Sequence, residues 1–164
     1  MKTVVFIRHA KSSWNNPGLD DFARPLNDRG ERDAPLAADR LKQFGIQPDY
    51  MVSSPAKRAR TTAEVFAETL GFPEEMICWN EALYLCSPHT WLEVLQNVSD
   101  EKDVIVTFGD NPGITSMVNE LTNSNIDNIP TAGLAVVEFQ ADSWNTIDWR
   151  KGTLAWFDYP KLHP

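Results

Sequence analysis

Short runs of β-branched and other apolar residues alternate along this chain with segments whose apolar positions recur every three or four residues. The strand-like runs are Thr3–Ile7, Tyr50–Ser53, Met76–Trp79, Val104–Phe108, Ala135–Phe139 and Thr153–Phe157. Runs this short, bounded by polar or turn-forming residues, predict strands. The helical stripes lie between them. Ala34, Ala37, Ala38, Leu41 and Phe44 predict a helix from near Asn27 to Gly45, with a kink or a late start at Pro35. Ala56, Ala59, Ala63, Phe66 and Leu70 predict another, stopped at Gly71, with Ser54 as its cap and Pro55 in its first turn. The same polar-then-proline start recurs at Ser87-Pro88 and at Asn111-Pro112, and Ile114, Met117, Val118 and Leu121 form the stripe after the latter.

Strands separated by helices imply crossover connections. The expected fold is therefore α/β: a three-layer sandwich with a mostly parallel central sheet of about six strands and helices on both faces. No repeat or linker-like stretch divides the sequence, so residues 1–164 are read as a single domain.

This layout singles out a few polar residues. Arg8-His9 leaves the first predicted strand, Arg58 enters the helix after the second, and Gly109-Asp110-Asn111-Pro112 leaves the fourth. A parallel sheet puts all such turns on one edge, where ligands bind and where helix N-termini offer backbone donors to anions. A histidine there can act as a nucleophile, and an arginine can hold a phosphate in a bidentate grip.

The net charge of −8 argues against a nucleic-acid partner, although the bases Arg8, Lys11, Arg24, Lys57, Arg58 and Arg60 concentrate near the suspected site. Cys78 and Cys86 make no paired motif and are expected as reduced, mostly buried thiols. No apolar run is long enough for a membrane helix, so no membrane association is expected and the simplest location is cytoplasmic. No histidine–carboxylate spacing suggests a metal, and no other cofactor is indicated.

The segments R-H-A-K-S-S-W-N at Arg8–Asn15 and S-P-A-K-R-A-R-T-T-A at Ser54–Ala63 resemble the nucleophile and second arginine motifs of the histidine phosphatase superfamily, the phosphoglycerate mutase-like proteins. Arg24-Pro25-Leu26 before a capped helix, together with the small size, is similar to the SixA branch of phosphohistidine phosphatases. The resemblance implies a phosphoglycerate mutase-like fold and a covalent mechanism in which His9 takes the phosphoryl group and water removes it. It further implies Arg8 and Arg58 as phosphate ligands, with Arg24, Ser12 and Asn15 as additional contacts and Glu81 as the acid. The implied partners are a phosphate ion and a phosphoprotein, such as a histidine phosphotransfer domain. Lys57 and Arg60 read as solvated helix residues or as rim charges attracting a phosphoprotein.

One segment departs from the family pattern. Close relatives read G-H-N-P-G where this chain has G-D-N-P-G, so Asp110 stands where the second catalytic imidazole is expected. Loss of a charge-assisted hydrogen bond costs about 1.5–3 kcal/mol. Repulsion between a carboxylate and a phosphate dianion adds to that, for a combined penalty of roughly two to four decades in rate. Three readings stay open at this point: an impaired phosphohistidine phosphatase, a phosphoprotein-binding pseudoenzyme, and an engineered residue in an otherwise active enzyme.

Overall fold

The computed structural model describes all 164 residues. Six strands form one sheet: β1 (Lys2–Arg8), β2 (Tyr50–Ser53), β3 (Cys78–Trp79), β4 (Val104–Gly109), β5 (Leu134–Phe139) and β6 (Gly152–Asp158). Their order across the sheet is β3-β2-β4-β1-β5-β6. The first four run parallel; β5 is antiparallel to β1, and β6, antiparallel to β5, runs in the same direction as the first four. The sheet is thus more mixed than the strand–helix alternation predicts. After β4 the chain descends through a helix, then returns over residues 124–133 to the carboxyl edge, so β5 starts at that edge and must run downward. No α-helix separates β5 from β6.

The helices are α1 (Asp28–Phe44), α2 (Lys57–Leu70), α3 (Pro88–Gln96) and α4 (Gly113–Thr122). The two-residue period of β1 explains the layers. Val4 and Phe6 join the core under α3 and α4, with Trp91, Leu95 and Met117. Val5 and Ile7 join the opposite core under α1 and α2, with Leu41 and Phe66. A strand buried on both faces is what an unbroken apolar run produces.

Several local expectations need correction. Asn27 caps α1 through Gly30 N at 2.9 Å, and the helix runs continuously past Pro35, with no late start. Ser54 does not cap α2. Its hydroxyl accepts from Ala56 N at 3.2 Å, inside the connecting loop, and the helix starts only at Lys57. Met76 belongs to a 3-10 turn, which shortens β3 to two residues. Both thiols are free but only half-buried. Gly45 and Gly71 close their helices in left-handed conformations, as their positions predict.

Gly30 connects the fold to the site. A Cβ at this position would lie 2.1 Å from the carbonyl oxygen of Lys11, in the loop that follows His9. Gly30→Ala should therefore push that loop outward, lowering stability by about 1–3 kcal/mol as overpacking does. Phosphate affinity should fall with it. Urea unfolding and phosphate titration of the variant check both; an unchanged midpoint with wild-type affinity contradicts the tight contact.

Candidate active site

The carboxyl edge of the parallel strands brings three separate segments together. Arg8 and His9 leave β1, Asp110 leaves the neighbouring β4, and Arg58 stands in the first turn of α2. All four border one cavity of about 220 Å³, whose wall also includes Ser12, Arg24 and Asp21.

His9 is buried, and its Nδ1 lies 2.7 Å from the carbonyl oxygen of its neighbour Ala10. A carbonyl only accepts, so Nδ1 carries the proton and Nε2 of the neutral ring holds the lone pair. Nε2 lies 3.4 Å from Asp110 Oδ1. Burial lowers the His9 pKa from 6.5 to about 4. The Ala10 carbonyl and Asp110 pull the other way, while Arg58 and Arg8 add to the lowering. The ring is therefore neutral and nucleophilic at neutral pH.

Arg58 is 2% exposed and committed on every nitrogen. Its Nε donates to Asp110 Oδ1 at 2.8 Å, and its terminal nitrogens donate to the carbonyl and carboxylate of Asp21 at 2.7 and 3.0 Å. Burial works against the charge, but Asp110 and Asp21 outweigh it and hold the guanidinium above its ordinary pKa. Asp110 is consequently no bare carboxylate: an arginine compensates its charge. Arg8 donates to the Ile129 carbonyl at 2.9 Å, while its Nε is buried without a partner. Thr62, one turn along α2, completes the frame. Its hydroxyl receives Ala10 N at 3.0 Å and donates to the Arg58 carbonyl at 2.8 Å.

Arg24 reaches the cavity edge, donates to Ser12 Oγ at 2.7 Å and stacks against Trp14, whose ring centroid lies 3.6 Å away. Two expected contacts are not brought in. Asn15 is exposed and borders a separate surface depression with Arg29 and Arg32. Glu81 is also exposed, at the start of a 3-10 turn that Asn80 caps and the buried Leu83 orients. Tyr84, three residues on, points to the site instead, donating to Asp21 Oδ2. Lys57 and Arg60 are exposed on α2, Arg60 lying over Trp79.

Sequence reasoning missed Asp21, Tyr84 and Trp14. Asp21 sits in an aperiodic polar loop, and only its place three residues before Arg24 offered a signal. Trp14 lies inside the Arg8–Asn15 segment but carries no motif role there, and Tyr84 offered no signal.

Residues 4–82 match the histidine phosphatase superfamily (branch 1). The chain is similar to an uncharacterized chloroplastic protein of Arabidopsis thaliana, with 28% identity across 94% of this chain and 74% of that protein. It is also similar to an uncharacterized protein of Mycobacterium leprae, with 29% identity across 94% of this chain and all of that one. A solved structure of a putative phosphohistidine phosphatase SixA from Agrobacterium tumefaciens aligns at TM-score 0.81 with 27% identity, covering 97% of this chain and 98% of that one. The protein histidine phosphatase SixA in complex with tungstate shares the fold at TM-score 0.83 and 23% identity, with 99% of each chain covered.

The fold is that of the phosphoglycerate mutase-like α/β proteins. Nearly half of the chain, including both motif segments, matches the histidine phosphatase superfamily, and the whole chain is similar in fold to the SixA structures.

Two outcomes follow from the site. His9 should titrate near pH 4 when its ring protons are followed by NMR. Because the folded pKa lies below the unfolded one, stability should be full above about pH 6.5 and fall as pH drops toward about 4. A His9 midpoint at or above 6.5 contradicts the buried, neutral ring. Phosphate affinity should fall most on Arg58→Ala and recover only partly in Arg58→Lys, since an ammonium lacks the planar fork. Calorimetric titration checks this; equal affinity in all three proteins places phosphate elsewhere.

Proposed function

We propose that this protein is a phosphatase that removes phosphate from protein phosphohistidine through a covalent phospho-His9 intermediate. The observation that carries this reading is the orientation of His9. With Nδ1–H held by the Ala10 carbonyl, Nε2 presents its lone pair to a cavity bordered by Arg8 and Arg58.

The chemistry balances without a strong acid. As Nε2 forms its bond to phosphorus, the substrate's P–N bond breaks and its electron pair leaves on the substrate imidazole, while His9 becomes an N-phosphorylated imidazolium that keeps its Nδ1 proton. Water then attacks phosphorus, the P–Nε2 bond breaks with its electron pair returning to a neutral imidazole, and the protons of the water leave with the inorganic phosphate or pass to solvent. Alignment and charge stabilisation are what phosphoryl transfer chiefly requires, and arginines supply the latter. Arg24 and Ser12 stand at the cavity edge as further contacts. No cofactor takes part in this scheme. The substrate would be a phosphoprotein, a histidine phosphotransfer domain being the chemical type, in the cytoplasm.

A second reading has one observation in its favour. Arg58 is saturated by Asp110 and Asp21, so phosphate must displace a carboxylate to engage it. A site of this kind can bind a phosphoprotein without turning it over.

Rapid quenching of the wild type with a labelled phosphohistidine peptide decides between these readings. The expected result is acid-labile label on His9 that disappears in His9→Ala. Binding of the peptide with no label and no phosphate release supports the pseudoenzyme, and label surviving in His9→Ala removes the nucleophile assignment.

A further inference from the structure

The two buried side-chain polar atoms without a hydrogen-bond partner belong to one site: Arg8 Nε, a donor, and Asp110 Oδ2, an acceptor. An unprotonated phosphoryl oxygen answers only the first. The second calls for a ligand that brings a proton of its own. Leaving a buried acceptor unmatched costs free energy, so a ligand that supplies the donor gains selectivity over one that does not.

Asp110 also lines two adjoining cavities. With Leu85 and Asn111 it borders both the phosphate cavity and a second cavity of about 310 Å³. The second cavity is formed by the Leu85–Pro88 turn, the Asp110–Gly113 turn and Ser116, and Asp110 is its one charged residue. Apart from Asp110 its lining is uncharged, and its size suits a flat, weakly polar ring attached to the phosphorus.

We propose that Asp110 makes the site selective for phosphoryl groups carried on nitrogen, its unpartnered Oδ2 receiving the N–H of a protonated imidazole leaving group seated in this second cavity. The inference rests on the phosphatase reading above and gives Asp110 a role other than that of a lesion.

The physical reason lies in the leaving group. A phosphohistidine ring protonated on its free nitrogen departs as neutral imidazole; the unprotonated ring would have to depart as an anion. When the P–N bond breaks, its electron pair goes to the ring nitrogen, and the other nitrogen keeps its proton throughout. A carboxylate hydrogen-bonded to that N–H favours the protonated, reactive form. The Ala10 carbonyl does the same for His9 once it is phosphorylated. The two rings that exchange the phosphoryl group would then be matched, each with an oxygen acceptor behind its far nitrogen. A phosphate ester has no such N–H, and for it the carboxylate only repels. The charged groups facing Asp110 are Arg8 and His9 from the end of β1 and Arg58 from α2, with the Cys86 thiol beside it.

The test compares wild type, Asp110→Asn and Asp110→His on a phosphohistidine peptide and on p-nitrophenyl phosphate. The ratio of kcat/KM for peptide over ester should fall by about tenfold or more in both variants. With the peptide, the loss of kcat on the alkaline side should move to lower pH in Asp110→Asn, while the ester profile stays in place. A merely structural loss would lower both substrates together and leave the ratio and pH profile unchanged, which would overturn the proposal. Should the variants fail to fold, the wild type decides alone. Its alkaline limb with the peptide must lie above the pH at which free phosphohistidine deprotonates, and coincidence of the two overturns the assignment. Phospho-His9 formed with an unchanged ratio removes only the role of Asp110, whereas no phospho-His9 from either substrate removes the phosphatase reading itself.

Discussion

The buried ion pair between Arg58 and Asp110 is the contact on which the rest of the site depends. It ties the first turn of α2 to the carboxyl end of β4 at 2.8 Å, with both side chains less than a tenth exposed. Neither charge is affordable alone at that depth, and removing one partner of such a pair typically costs about 3–5 kcal/mol. Asp21 holds the other side of the guanidinium and is itself kept ionised: burial is outweighed by Tyr84, Arg58 and Arg24, which lower its pKa. Thr62 then links the Arg58 backbone to Ala10. His9, Arg58 and the loop after β1 are therefore held in one hydrogen-bonded frame, which is how a loop site gains the rigidity of its scaffold.

That coupling explains the state of His9. A histidine beside a carboxylate would ordinarily be protonated, and a protonated ring cannot attack phosphorus. Here Arg58 and Arg8 offset the charge of Asp110, and burial disfavours a further cation, so the balance falls on the neutral ring. The Ala10 carbonyl fixes which nitrogen is free. Tautomer and orientation follow from a single backbone contact, and a one-residue change in the register of this loop would undo both.

The large-scale architecture was legible because it depends on periodicity. The buried run of β1, the stripe of α2 and the glycine stops at 45 and 71 each report a local geometric requirement. The convergence of His9, Arg58 and Asp110 was legible too, since parallel strands place their carboxyl ends together whatever the details. What escaped was set by tertiary contacts. Asp21 and Tyr84 lie in loops without period, and their roles exist only because Arg58 reaches them. Ser54 has the chemistry of a helix cap, but its hydroxyl satisfies the loop one turn too early. Glu81 has the right residue type in the right segment. The buried Leu83 turns that segment so that Tyr84 enters the site and Glu81 faces solvent.

The acidity of the whole chain and the basicity of this cavity are not in conflict. At physiological ionic strength charges are screened over about 8 Å, so distant surface carboxylates weigh little on a phosphate already in contact with Arg8. They act earlier, during approach, where a protein with a net charge of −8 repels free phosphate and other small anions. A phosphoryl group presented on another molecule avoids much of that barrier, because contacts made outside the cavity can bring it within reach. Trp14, 71% exposed and stacked on Arg24, stands where such a contact would begin. A cavity of about 220 Å³ is smaller than the 300–1,000 Å³ usual for small-molecule sites. A cavity of that size accommodates a phosphoryl-sized group but encloses little else, so whatever carries such a group would have to lie at or beyond its walls.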